Sequence, residues 1–294
     1  MKDSVLLSFL YDTVPGRILL RPLVGKQISS LAGSFLSSKA SALFIPYFIR
    51  KHKIPMKGIA VPEKGFSSFN DFFTRKRTKA LPVPKEGYLI SPCDGFLTVL
   101  DITQDQVFNI KGCRFTLDAL LQDKELSERF KEGRALILRL TPANYHRYCY
   151  PAGGEMIGER RIEGKYHCVR PIALRRFPVF IENTREYQVI RTDRFKDIVQ
   201  MEIGAMLVGR ISNKKLSPGE CRVEAGEEKG YFEFGGSTII LLFEKDALCL
   251  KKSLINSDKD NEGSKGDSVR PVSDADRGEI PVRIGSVIAR ARTN

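Results

Sequence analysis

Tyr231-Phe232-Glu233-Phe234-Gly235-Gly236-Ser237-Thr238-Ile239-Ile240-Leu241-Leu242-Phe243 opens on aromatic residues and closes on an uncharged apolar run. From Thr238 to Phe243 the run is short, partly β-branched and free of alternation, so it reads as a strand buried on both faces. Two glycines and a serine stand immediately before it. Glycines there let the backbone turn sharply, or let another group approach it closely. Ser237 is therefore a hydroxyl at the mouth of a rigid strand, beside a peptide bond with little steric cover. The plain alternative is a bulge and turn entering a core strand, since Gly-Gly-Ser is ordinary turn chemistry. A hydrolase nucleophile elbow is excluded, because no glycine stands two residues after the serine.

The chain around this stretch is 294 residues long, enough to bury a full core in one or two domains. Its 42% hydrophobic and 28% charged residues exclude wholesale disorder. A formal charge of +13 suits an anionic partner, either nucleic acid or anionic lipid. No recognisable nucleic-acid-binding motif supports the first. The six cysteines are scattered without a C-x-x-C pair, and no signal peptide pattern opens the chain. Reduced thiols in the cytosol are expected, and a metal site is not.

Residues 1–64 form a first, helical region in which Val24, Ile28, Leu31 and Phe35 recur at helical spacing. No uncharged apolar run there approaches the roughly 18–20 residues of a spanning helix. Ten basic residues stand against three acidic ones in this region. Apolar stripes in a positive surround describe a segment lying on an anionic bilayer, and equally a helical layer packed on the protein's own core. Residues 65–255 read as a β-rich unit. Tyr88-Leu89-Ile90 is a strand ending in the turn Ser91-Pro92-Cys93-Asp94-Gly95, and Leu117 to Gly133 is a charged helix. A further strand, Ala135 to Leu140, delivers Thr141 to Pro151. Val199, Met201 and Ile203 alternate with Gln200 and Glu202 as in a half-buried strand. Residues 256–279 are polar, charged and without periodicity, a flexible insert. Residues 280–294 regain alternation as a last strand and tail. The fold class is α+β.

Several separated motifs, in order over about residues 10–250, resemble the phosphatidylserine decarboxylases. F-G-G-S-T-I-I-L-L-F is similar to that family's self-cleavage segment, and V-P-G-R-I-L-L-R-P-L-V and F-I-R-K-H-K-I to its N-terminal region. F-N-D-F-F-T-R, S-P-C-D-G, Y-H-R and the dense stretch from G-K-Y-H-C-V-R-P-I-A-L to M-E-I-G-A-M-L-V-G-R-I also look like it. The F-N-D-F-F-T-R stretch read by itself is a short helix with aromatic packing and an Asn or Asp cap.

The resemblance implies a proenzyme cut between Gly236 and Ser237 into a large β and a small α chain, with Ser237 becoming a pyruvoyl group. Asp94, His146 and Ser237 take the catalytic roles. The family's fuller pattern has a second histidine where this chain has Cys149, which puts the identity of the base in doubt. His146 then serves both as cleavage base and as later proton donor, or His167 reaches the site; Cys149 is read as a small packing residue. Arg185 is the candidate for the substrate's phosphate or carboxylate, because a guanidinium offers a fork of donors. The implied partner is phosphatidylserine in anionic membranes, at the cytoplasmic face, with a homodimer as the assembly to be tested. Two other readings stay open: a pyruvoyl decarboxylase of another amino-acid substrate, and a non-cleaving lipid-binding homologue.

The chemistry explains why such residues are needed. Decarboxylating an α-amino acid leaves electrons on Cα, and a carbonyl must bind the amine and accept them. Protein side chains lack that carbonyl, and a cofactor normally supplies it. A serine beside a base generates one from within the chain.

Overall fold

The computed structural model describes residues 5–110, 113–206, 210–216, 221–235, 237–251 and 279–292. Gly236 and residues 256–278 of the expected insert lie outside them.

The first region is helical: α1 (Val5–Asp12), α2 (Val14–Leu23), α3 (Lys26–Leu36), a 3-10 turn at Lys39–Phe44 and α4 (Ile45–His52), with α5 (Phe69–Phe73) after a loop. Thr13 starts α2 by accepting a hydrogen bond from the Gly16 amide at 3.0 Å, and Pro15 occupies the first turn, where no donor is needed. α5 is capped by Ser68, whose hydroxyl accepts from the Asp71 amide at 3.1 Å, rather than by an Asn or Asp. The stripe expected from sequence is not one inward face. Val24 is buried beyond the end of α2, whereas Leu31 and Phe35 on α3 are 69% and 52% exposed. Leu10, Tyr11, Leu20 and Val24 pack into the main core. α1 and α2 thus share the main core with the sheets, whereas Ile45 of α4 and Phe69, Phe72 and Phe73 of α5 form a separate cluster.

The rest of the chain runs β1 (Tyr88–Ile90), β2 (Gly95–Asp101), β3 (Val107–Ile110), β4 (Cys113–Thr116), α6 (Leu117–Leu121), α7 (Lys124–Arg129), β5 (Arg134–Leu140), β6 (Arg147–Cys149) and β7 (Gly154–Ile162). It continues through α8 (Pro171–Leu174), α9 (Val179–Glu182), β8 (Arg185–Thr192), β9 (Lys196–Ile203), β10 (Ile211–Asn213), β11 (Arg222–Val223) and β12 (Glu228–Phe232). β13 (Ser237–Phe243), β14 (Leu248–Leu250), β15 (Ile280–Val282) and β16 (Val287–Ala291) complete it. The expected helix from Leu117 to Gly133 is broken in two. Gln122 turns left-handed at φ 51°, and Asp123 restarts the helix by accepting from the Leu126 amide at 3.0 Å.

Eight strands make one antiparallel sheet in the order β11-β7-β8-β9-β13-β5-β2-β15. β13 lies inside it, with Ser237 opposite Leu140 of β5 and Thr238 opposite Ile203 of β9. Every residue from Ser237 to Phe243 is buried, as the unbroken apolar run predicts. A second sheet, β10-β12-β6, covers one face of the first. For that reason β9 is not half-exposed: Gln200 and Glu202 are fully buried with their apolar neighbours. Lys229 of β12 donates to Glu202, and Asn213 of β10 donates to the same carboxylate at 3.3 Å and to Glu186 at 2.9 Å. Burial favours the neutral form of both Lys229 and Glu202, and their pairing opposes it. A third sheet, β1-β16-β14, and the hairpin β3-β4 finish the architecture, an α+β fold.

Candidate functional site

Ser237 is the first residue of β13, fully buried, and its hydroxyl has no hydrogen-bond partner among the described residues. Two residues earlier Gly235 has φ 143°, in the region that favours glycine, so the sharp entry anticipated from sequence is real. His146 immediately precedes β6 and is fully buried. Its ring stacks on Phe73 of α5 with centroids 4.0 Å apart. Nδ1 lies 2.9 Å from the Asn144 carbonyl oxygen, which fixes the tautomer: Nδ1 carries the proton and Nε2 is a bare acceptor. Among the described residues Nε2 meets no partner at full hydrogen-bond geometry, while the Gly235 backbone lies close enough to act on the ring and partly offsets its lowered pKa. Among the described residues two buried polar atoms thus lack hydrogen-bond partners, the Ser237 hydroxyl and His146 Nε2, and the backbone of Gly235, two residues before the serine, acts on the histidine. A hydroxyl donor and a bare imidazole are the two halves of an activated nucleophile.

Burial, assisted by the positive charge of Arg75, pushes His146 down to about 3. A base must be unprotonated to accept a proton, and this environment keeps the ring neutral. Asn144 holds its own turn, accepting from the Thr141 amide and hydroxyl at 2.7 Å each, and so steadies the carbonyl that orients the ring. Neither Asn144 nor Phe73 stands out in the sequence. Both orient the base by backbone or ring contact, which leaves no pattern of residue types.

Among the described residues, the other sequence candidates make no hydrogen bond to Ser237 or His146 and have partners of their own. Asp94 accepts from the Ile284 amide at 2.8 Å and pairs with Arg77 at 3.5 Å; no hydrogen bond joins it to His146. Cys149 sits in an apolar cluster with Ile90, Tyr145 and Ile284, and burial pushes its thiol up to about 12. It is a packing residue by geometry and a poor base by charge. His167 lies in a loop rather than in the expected strand, stacked on Phe177 at 4.5 Å with Nε2 3.4 Å from Glu182. Burial pushes it down to about 4.

Arg185 departs most from its expected role as a substrate fork. It is 1% exposed and donates to the carbonyls of Ala119, Leu120, Ile181 and Asn183 at 2.7–3.1 Å. Its guanidinium clamps α6 and α9 to β8, with four of its five N–H donors spent on these carbonyls in a buried position.

A cavity of about 200 Å³ opens beside the serine's segment, lined by Leu7 of α1, Arg139, Arg170, Met206, Phe234 and Gly235 among others. Arg139 is already paired with Glu279, through Nε at 3.0 Å and through its NH2. Arg170 makes no ion pair among the described residues, and sequence reasoning missed it. The signal was an arginine in a loop two residues beyond the segment's own histidine-cysteine pair, which marks nothing without the fold.

Two buried histidines with lowered pKa make stability depend on pH with a definite sign. The unfolded chain takes up protons near 6.5, and the folded chain only near 3 and 4. Stability is thus full above about pH 7 and falls as the pH drops through 6.5, by about 2 kcal/mol per histidine at pH 5. Thermal melts of the wild type should show a lower Tm at pH 5 than at pH 7.5. His167→Phe should shrink that gap, and an unchanged gap would remove His167 from the balance.

A family profile for phosphatidylserine decarboxylase matches residues 69–268. The chain is 40% identical over 256 residues to "Phosphatidylserine decarboxylase proenzyme 2" of Clostridium acetobutylicum, covering 86% of each chain. It is 40% identical over 265 residues to a phosphatidylserine decarboxylase proenzyme of Ruminiclostridium cellulolyticum, 88% of each. With the corresponding protein of Fusobacterium nucleatum it shares 37% over 256 residues, 85% of each. The partnerless serine at the mouth of β13 and the neutral histidine beside it thus sit in a sequence whose relatives are named as proenzymes, and the chain belongs to the phosphatidylserine decarboxylase family.

Proposed function

We infer that Ser237 and His146 carry out the self-cleavage of this proenzyme, and that the cut falls between Gly236 and Ser237. The observation that supports this is the pair of buried atoms without partners among the described residues, Ser237 Oγ and His146 Nε2, with the Gly235 backbone acting on the histidine two residues before the serine. The enzyme is a carboxy-lyase that converts phosphatidylserine to phosphatidylethanolamine and CO2, and its cofactor is a pyruvoyl group.

In the cleavage, His146 Nε2 takes the hydroxyl proton and Oγ forms a bond to the Gly236 carbonyl carbon. The bond from that carbon to the Ser237 nitrogen breaks, and the nitrogen receives the proton. A proton leaves Cα of residue 237 as its Cβ–Oγ bond breaks, so the acyl group departs as the carboxylate that ends the β chain and a Cα=Cβ double bond remains. One water then enters and one ammonia leaves, giving the pyruvoyl end of the α chain. The group supplies a carbonyl that binds the substrate's amine and accepts the electrons of the broken carboxylate bond. His146, still neutral and still held by Asn144, is placed to hold and return a proton beside it. Arg170, free of an ion pair at the cavity, faces the anionic part of the substrate.

The same reading places the N-terminal layer on a membrane. Among the described residues, most exposed large apolar side chains lie between residues 5 and 47, including Val5, Leu6, Val14, Ile18, Leu31 and Leu43. Arg21, Lys39, Arg50 and Lys51 are exposed among them. Among the described residues, no single helix is long and apolar enough to cross a bilayer. An apolar face with basic residues around it suits the surface of an anionic leaflet, the cytoplasmic one. Leu7 of α1 lines the cavity, so a headgroup entering it leaves its acyl chains with the outward-facing helices.

Vesicles containing anionic lipid should bind the protein, and binding should weaken as salt rises. Leu6→Asp with Ile18→Asp should lose binding while decarboxylation of a detergent-dispersed short-chain substrate survives. Release of CO2 from free serine without lipid, together with no vesicle binding, would favour the decarboxylase of a soluble amino acid. The non-cleaving homologue is favoured by one observation, the presence of Cys149 with Asp94 engaged by Arg77. It requires the chain to stay intact.

A further inference from the structure

We propose that Asn70 is a positioning residue of the self-cleavage step, holding residue 234 just before the cut against the end of α3. The inference rests on the reading of the cut at Gly236–Ser237.

β12 ends at Phe232, and the Glu233 amide donates to the Arg210 carbonyl at 3.2 Å. Beyond that point the segment leaves the sheet. The Phe234 amide donates to Asn70 Oδ1 at 3.2 Å, a side chain of α5 and not a neighbouring strand. The other half of the same amide reaches away from the site: Asn70 Nδ2 donates to Ser37 Oγ at 2.9 Å and to the Gly33 carbonyl at 3.4 Å. Since a backbone N–H can only donate, the oxygen of Asn70 must face Phe234, and the two sides of the amide agree on one orientation. Asn70 is 7% exposed and spends both of its polar atoms on these contacts. A buried amide in a helix of phenylalanines is costly unless its partners repay it structurally.

The Phe234 ring is held from the same helix. It meets Phe69 and Phe73 edge-on at 5.0 Å each and Phe48 of α4 at 6.0 Å. Phe73, one turn beyond Asn70, is also the ring on which His146 stacks. One short helix therefore carries both the support of the base and the hold on the segment that the base serves. An external hold is needed because the segment cannot stiffen itself: Gly235 stands at φ 143° and Gly236 has no side chain. Attack of a hydroxyl on the neighbouring carbonyl requires a near-attack geometry, and an error of about 1 Å costs on the order of 100-fold in rate.

The test follows self-cleavage of full-length chains after cell-free synthesis, by intact mass against time, with Tm measured in parallel. Asn70→Leu removes both halves of the amide and is expected to slow cutting roughly tenfold or more. Asn70→Asp keeps an acceptor for Phe234 and is expected to cut within about threefold of wild type. Phenyllactate in place of Phe234 removes only the N–H and should reproduce the slowing seen with Asn70→Leu. Wild-type rates in both the Asn70→Leu and phenyllactate chains overturn the proposal; should Asn70→Leu fail to fold, the phenyllactate chain alone decides. A wild-type chain that stays uncut, or is cut elsewhere, overturns the underlying reading and this one with it.

Discussion

Ser237→Ala is expected to remain one full-length chain and to release no CO2 from phosphatidylserine. The loss is complete and not graded, because alanine lacks the hydroxyl whose attack and later departure from Cβ create the pyruvoyl group. The substitution itself should cost the fold little. Ser237 Oγ has no hydrogen-bond partner, so deleting it leaves no group newly unpaired, and β13 keeps its pairing to β5 and β9. An unchanged Tm beside an uncut chain would therefore separate chemistry from folding. Ser237→Thr and Ser237→Cys retain a nucleophile and should cut slowly. Turnover of substrate by Ser237→Ala would end the pyruvoyl reading.

His146→Ala should leave the proenzyme uncut over hours, with a rate lower by about 100- to 10,000-fold, the range for loss of a general base. His167→Ala should cut at close to the wild-type rate, since that ring lies on Phe177 beside Glu182. Asp94→Asn should cut faster than His146→Ala does. Its carboxylate holds the Ile284 amide and Arg77, and the Asn144 carbonyl is what fixes the tautomer of His146. Because His146 is held neutral down to about 3, cleavage should stay nearly flat between pH 5 and pH 8 and not fall through 6.5. Normal cutting by His146→Ala with an intact His167→Ala would move the base to the loop. A steep acid decline in wild-type cleavage would contradict the buried, neutral ring.

What the sequence made legible was local and apolar. The run from Thr238 to Phe243 announced a doubly buried strand, and the glycine pair announced a sharp entry; β13 and Gly235 have these properties. The turn at residues 91–95 and the strands flanking it were readable from the same kind of signal. Polar positions misled, because their surroundings come from distant chain. Gln200 and Glu202 alternate as if facing water, yet the sheet formed by β6, β10 and β12 covers them and Lys229 arrives to pair. Arg185 looked like a ligand fork, yet four carbonyls from two separate segments take four of its donors. The N-terminal stripe was legible as helical, but only the fold shows Leu31 and Phe35 turned outward. Asn70 was passed over as part of an aromatic helix. A lone amide among four phenylalanines was the available signal, since a buried amide requires partners.

The most direct measurement is the intact mass of the purified wild-type protein under denaturing conditions. Two chains are predicted, one ending at Gly236 and one beginning at residue 237, the second lighter by one ammonia than the same fragment with an ordinary serine and blocked to Edman degradation. A single mass equal to the full 294-residue chain, unchanged after incubation with anionic vesicles, would contradict self-cleavage at Ser237.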